Sequence, residues 1–180
     1  MPDALDSLEQ QLDGVRKASA PPLHLWHPEL SGDIPIHIRA DGVWFHEGSE
    51  IQRDALVRLF ASILRRESDG EYYLVTPVEK WRISVELHPL VVVDVDVRGR
   101  PDTPVLWCTL NTGAAFAVDG QHRLFLEPTV GGVAALTLPQ GLTALFSRAA
   151  WYRLVALAEE QGTPASIESS GLSFFLIADL

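Results

Sequence analysis

Positions 34–47 alternate between apolar and polar residues around an Asp-Gly pair. Ile34, Ile36 and Ile38 are interleaved with Pro35, His37 and Arg39. Asp41-Gly42 follows, and then positions 43–47. A period of two is that of a half-buried strand, and Asp-Gly between two such runs marks a hairpin, because its tight turn needs positive φ. With a two-residue loop Ala40 faces Val43, Arg39 faces Trp44, Ile38 faces Phe45 and His37 faces His46. One face then carries Ile36, Ile38, Val43 and Phe45 and is assigned to the core. The other carries His37, Arg39, Trp44 and His46.

The period then changes. Ser49-Glu50-Ile51-Gln52 has the form of a capping box. Leu56, Leu59, Phe60, Ile63 and Leu64 recur at helical spacing, which predicts a helix over 49–67. Ser68-Asp69-Gly70 turns the chain into a strand over 71–76, stopped by Pro77, and a second strand spans 80–86. Further on, the pattern predicts strands over 91–97, 104–110, 114–118, 121–126 and 133–138. A helix over 142–160, apolar on more than one face, is expected to be buried on several sides. Strands over 166–168 and 172–178 close the chain. Leu5, Leu8 and Leu12 predict a short polar helix over 3–17, read as an arm. Leu-x-x-Leu-Phe occurs at 56–60 and again at 142–146, each time after an Asp-Gly hairpin, a weak sign of duplication. The whole reads as an α+β protein with an N-terminal arm over 1–22, a first domain over 23–89 and a second over 90–180.

Composition narrows the function. The chain of 180 residues has a formal net charge of −10. That balance disfavours a nucleic-acid partner or an anionic membrane surface, both of which call for basic residues. The uncharged stretch after Pro128 is broken by Gly131, Gly132, Pro139 and Gly141, so no membrane segment is expected. A single cysteine, Cys108, in an apolar run suits a reducing cytoplasm and reads as a buried, inert thiol. A cytoplasmic location is therefore expected.

The candidate chemistry lies on the polar face of the first hairpin. Trp44 offers a stacking plane, Arg39 lies across from it, and His37 and His46 complete the group. The helix expected to start at Ser49 would present free N–H groups to an anion, with Arg53 in its first turn. Together these suit a small ligand with a planar ring and a negative group. The bland alternative is a solvated sheet face. Thr76-Pro77-Val78-Glu79-Lys80 is a tight corner whose Glu79 and Lys80 are either acid-base or anion-binding groups, or an exposed salt-bridged turn. His24-x-x-His27 with Glu29 has loose metal-ligand spacing, but Pro21, Pro22 and Pro28 make the segment irregular, and no metal or other cofactor is expected. No Gly-x-Ser-x-Gly elbow or phosphate loop is present.

The run Asp41-Gly42-x-Trp44-x-His46-x-Gly48, then Ile51 and Arg53, Leu56 with Leu59-Phe60, and Tyr73-Leu74-Val75-Thr76-Pro77-x-Glu79-Lys80, resembles a bacterial family known as domain of unknown function 1285. Asn111-Thr112-Gly113 with the His122 hairpin is a second, less specific match. The resemblance implies a duplicated two-domain fold. It implies a C-terminal domain similar to pleckstrin-homology domains, a bent antiparallel sheet plugged by a helix. It also implies a nucleotide-like ligand held at the domain interface, and a role in signal transduction. Trp44, His46, Arg53, Thr76, Glu79 and Lys80 are the positions it carries over. The chain departs from the family where Glu86-Leu87-His88-Pro89 keeps a single acid and where Ala114 replaces an acidic residue. The expected function is ligand binding or sensing, without catalysis. The rivals are a hydrolase or transferase using His46 and Glu79, and a module that docks a protein partner.

Overall fold

The computed structural model describes residues 3–12 and 20–177. The chain divides into two units. One runs from Met1 to Leu87 and takes in Gln140–Leu142, and the other comprises His88–Pro139 and Thr143–Leu180.

Among the described residues the first unit is a mixed six-stranded sheet with two α-helices. Helix α1 (Ala4–Leu12) precedes strands β1 (Leu30–Ile38), β2 (Trp44–His46) and β3 (Ser49–Glu50). Helix α2 (Asp54–Ser62) then leads to β4 (Leu64–Arg66), β5 (Tyr72–Val75) and β6 (Lys80–Val85). The strand order is β3-β2-β1-β6-β5-β4. Each half is an antiparallel meander, and the two meet along a parallel seam between β1 and β6. The helix expected over 3–17 is present as far as Leu12, and positions 13–17 lie outside the described residues.

The first hairpin corrects the expected register. His37 pairs with Phe45, Ile38 with Trp44 and Ile36 with His46. The loop has three residues, not two. Arg39 N–H donates to Val43 O at 3.0 Å, and Gly42 N–H donates to Arg39 O at 2.9 Å. Gly42 has φ 81°, the left-handed residue that closes a three-residue loop with a bulge. One extra loop residue turns every β2 side chain to the opposite face. Trp44 therefore joins Ile34, Ile36 and Ile38 in the core at 2% exposure, while Phe45 shares the outer face with His37. The two-residue turn falls instead at Glu47-Gly48, both with positive φ (49° and 80°). It pairs Ser49 with His46 and Glu50 with Phe45.

That second hairpin consumes the expected capping box. Ser49 and Glu50 are strand residues, and α2 starts at Asp54 with Arg53 at its N-cap and no side-chain cap. The helix also stops early, at Ser62, because Leu64–Arg66 pairs with β5 as an edge strand.

The second unit holds β7 (Leu90–Arg100), β8 (Thr103–Leu110), β9 (Ala115–Ala117), β10 (Leu124–Glu127), β11 (Val133–Thr137) and β12 (Thr143–Phe146). Helix α3 (Arg148–Glu160) and the hairpin β13 (Ser166–Ser169) and β14 (Leu172–Phe175) follow. Its large sheet has the order β10-β11-β12-β7-β8-β9. It is mixed rather than wholly antiparallel, because β12 and β7 run parallel. The expected 142–160 helix is also corrected. Thr143–Phe146 forms a strand paired on both sides, and Ser147 caps α3 by accepting the Ala150 N–H at 3.2 Å. Helix α3 packs on β7, β12 and β13. Cys108 is fully buried in β8, and burial pushes its thiol up to about 12.

Both sheets have one strand plan: two antiparallel meanders joined by a parallel seam. Neither motif that suggested duplication marks it. Leu56 and Phe60 lie on a helix, whereas Leu145 and Phe146 lie on β12. Asp41-Gly42 joins β1 to β2, whereas Asp119-Gly120 lies between β9 and β10.

Candidate functional site: a groove at a split parallel seam

The seam of the first unit is irregular. Asp33 pairs with Arg82 and His37 pairs with Ser84, so three β1 residues face the single β6 residue Ile83. The two extra residues bulge β1 away from β6. Pro35 sits within the bulge, a place where a strand tolerates proline because no ladder N–H is needed. Its carbonyl accepts the Glu47 N–H at 2.9 Å.

A groove of about 560 Å³ opens at this split. Pro35 and Val85 contribute apolar surface, the almost wholly buried Ile34, Ile36 and Ile83 lie beneath it, and Glu47-Gly48 and Gly70-Glu71 flank it. Its two ends are polar. At one, Arg82 Nε donates to Asp33 Oδ1 at 2.7 Å, a bond that raises the arginine pKa further. At the other, the His37 ring lies 2.8 Å from Ser84 Oγ and 2.7 Å from Glu86 Oε1. Glu86 Oε2 also accepts the Ala40 N–H. The groove's volume falls within the ~300–1,000 Å³ of small-molecule sites.

Among the expected site residues, His37 alone lines this groove. Arg39 stands over the Phe45 ring at 5.4 Å. Trp44 stacks on Phe60 with centroids 6.4 Å apart. Among the described residues, Trp44 Nε1 and His46 Nε2 are buried without hydrogen-bond partners. Candidate ligand atoms of His46, Asp3 and Glu47 lie within 4.8 Å of one another.

Arg53 is paired with Glu9 of α1 at 2.6 Å. Thr76 is fully buried, and its hydroxyl accepts the N–H groups of Glu79 (3.0 Å) and Val78 (3.4 Å), which fixes the corner between β5 and β6. Glu79 accepts from Ser7 at 3.2 Å and from the Trp81 indole at 3.2 Å. Lys80 reaches Glu67 at 3.1 Å and lies over the Tyr73 ring. Arg65 also binds Glu67 and donates to the carbonyls of Leu23 and Trp26. Burial would raise the Glu67 pKa, but the hydrogen bonds from Arg65 and Lys80 outweigh it and hold the carboxyl below its usual range. These polar groups are held by contacts with one another, with Glu67 and with α1.

The fold and groove define a two-unit α+β protein, each unit built on a mixed six-stranded sheet. Residues 21–87 match the family model described as domain of unknown function (DUF1285), N-terminal domain, and residues 89–176 match protein of unknown function (DUF1285), C-terminal domain. The chain belongs to the DUF1285 family. It is similar to the crystal structure of a DUF1285 family protein from Silicibacter pomeroyi DSS-3, with 36% identity and a TM-score of 0.79 over 98% of this chain and 96% of that one. It is also similar to a DUF1285 family protein from Shewanella baltica OS155, with 34% identity and a TM-score of 0.58 over 68% of this chain and 91% of that one. A comparison with curated proteins found no match. Among the described residues no helix is long and apolar enough to cross a membrane.

Proposed function

We propose that the protein is a ligand-binding protein that takes a small molecule in the groove of its first unit and serves as a sensor in bacterial signalling. The observation that carries this reading is the preformed groove at the split seam, with its polar ends already held in place. Fixed polar groups lower the ordering cost of binding. The charges refine the ligand class. Among the described residues Arg82 is the single Arg or Lys in the lining and is offset by Asp33, while Glu47 and Glu71 add negative charge. A neutral, zwitterionic or cationic ligand fits this lining better than the polyphosphate of a nucleotide. The pleckstrin-homology-like character expected of the second unit would suit it to docking a signalling partner. A hydrolase using His46 and Glu79 draws less support, because Glu79 is committed to Ser7 and Trp81.

The test is a titration of isotope-labelled protein with small amines, amino acids and nucleosides at millimolar concentration, read by amide chemical shifts. A ligand of the groove moves Gly48, Gly70 and Ser84 together. A compound that raises the melting temperature but leaves those three signals unmoved places binding elsewhere and refutes the reading.

A further inference from the structure

Where β1 and β6 rejoin, three side chains form a hydrogen-bonded line. Glu86 is held as an acceptor by two donors: His37 first, then the Ala40 N–H at 2.8 Å. Both lower its pKa below the usual glutamate range. An ionised carboxylate can only accept, so His37 Nε2 carries a proton. In the neutral ring Nδ1 is then the acceptor, and Ser84 Oγ, 2.8 Å away, donates to it. This is the polarity of a nucleophile, its base and the acid that orients the base. Ser84 is exposed and lines the groove, so a bound molecule can reach its oxygen. Arg82 lies two residues earlier on β6 and so projects from the same face, ~7 Å along the strand. Its bond to Asp33 uses one of five guanidinium donors.

We propose that Ser84 is a nucleophile activated by His37, and that the ligand of the groove is a small carboxylic ester of neutral or cationic character. This rests on the groove being the ligand site. Ser84 Oγ adds to the ester carbonyl while its proton passes to His37 Nδ1, and the carbonyl oxygen becomes an oxyanion whose charge Arg82, on the same strand face, offsets. Collapse of the adduct breaks the bond to the alcohol oxygen, which leaves with the proton from Nδ1. Water then attacks the acyl-serine and gives a proton to the same nitrogen. The carboxylic acid departs, and Ser84 regains its proton. While it lasts, the acyl-serine marks the protein covalently as occupied, which suits a sensor.

The experiment uses p-nitrophenyl acetate with the full chain, following p-nitrophenolate release and locating the acetyl group by peptide mapping. The expected result is one acetyl on Ser84, absent in Ser84→Ala. His37→Gln keeps a hydrogen-bonding side chain but lacks the base, and it should slow acylation by ~10²-fold or more. Circular dichroism confirms that both variants fold. Labelling of wild-type Ser84 by a fluorophosphonate needs no variant and must agree. An acetylation rate unchanged in Ser84→Ala, or an acetyl group confined to other residues, overturns the proposal. The unreactive amide p-nitroacetanilide separates the two readings. If it shifts Gly48 and Gly70 while Ser84 is never acylated, the groove stands and the nucleophile falls. If it shifts neither and Ser84 stays unlabelled, both fall.

Discussion

Replacing Trp44 by alanine tests the register of the first hairpin, which decides whether Trp44 or Phe45 is buried. The indole is 2% exposed. A buried tryptophan hides ~150–250 Å², which at ~25 cal/mol per Å² is about 4–6 kcal/mol of transfer free energy. Its stack on Phe60 adds ~1 kcal/mol. Against this, the indole N–H is buried with no partner, and removing it relieves a penalty of ~1–3 kcal/mol. The net expectation is a loss of ~3–5 kcal/mol, the range seen for such truncations in cores. Urea denaturation followed by far-UV circular dichroism measures it, with Phe45→Ala as the comparator because Phe45 lies on the outer face. In a register shifted by one residue the two roles exchange. A midpoint that falls further for Phe45→Ala than for Trp44→Ala refutes the structure of this hairpin.

Three further outcomes are expected. Glu79→Ala removes the acceptor of Ser7 and the Trp81 indole; since nine-residue helices are marginal alone, amide hydrogen exchange in α1 should speed up while β5 and β6 stay protected, and unchanged exchange in α1 would contradict this. Gly99→Ala would set a Cβ 2.8 Å from the Thr103 carbonyl at φ 94°, so a loss above ~1–2 kcal/mol is expected, and a neutral effect in thermal melts would show that the β7–β8 turn differs. The folded-state pKa of Glu67 is depressed below its ordinary 4.5, so its contribution is full above that value and is lost as the pH falls through the lower folded-state pKa; Glu67→Gln should therefore flatten the decline in melting temperature between about pH 5 and pH 3, and an unchanged slope would remove Glu67 from the account.

Much of the strand pattern is legible in the residues, and the site much less so. Alternation over Ile34, Ile36 and Ile38 persists through the bulge, because side chains keep their faces even where the neighbouring strand is lost. Asp41-Gly42 correctly marks a turn but not its length, and a single residue decides which aromatic is buried. Positions 49–67 mislead because two local signals compete. The Ser-x-x-Gln box suits a helix, but Glu47-Gly48 adopts the positive φ of a two-residue turn and draws Ser49-Glu50 into the sheet. Leu142 and Phe146 read as helix because short apolar runs do not distinguish strand from helix, and pairing on both sides of β12 settles it. Pro35 inside an alternating run was the available sign of the bulge. The line from Ser84 through His37 to Glu86 had none. Its members lie 47 and 49 positions apart and meet across a parallel pair whose register shift no local pattern reveals.

The shared strand plan makes the groove informative. In the second unit the seam is regular, with Ala144, Leu145 and Phe146 opposite Leu90, Val91 and Val92 in unbroken register. In the first, nine β1 residues run beside six of β6; one extra residue falls between Leu30 and Gly32 and two fall at the split. A regular seam is evidently sufficient to build a sheet of this topology, so the extra residues are not needed for the fold. They weaken a central pair and place a proline there, costs that a purely structural sheet avoids. Departures of this kind concentrate at functional sites. This one also sets His37, Ser84 and Arg82 around a surface groove. The split seam is thus the place where the first unit departs from the common plan, and the place where chemistry is to be sought.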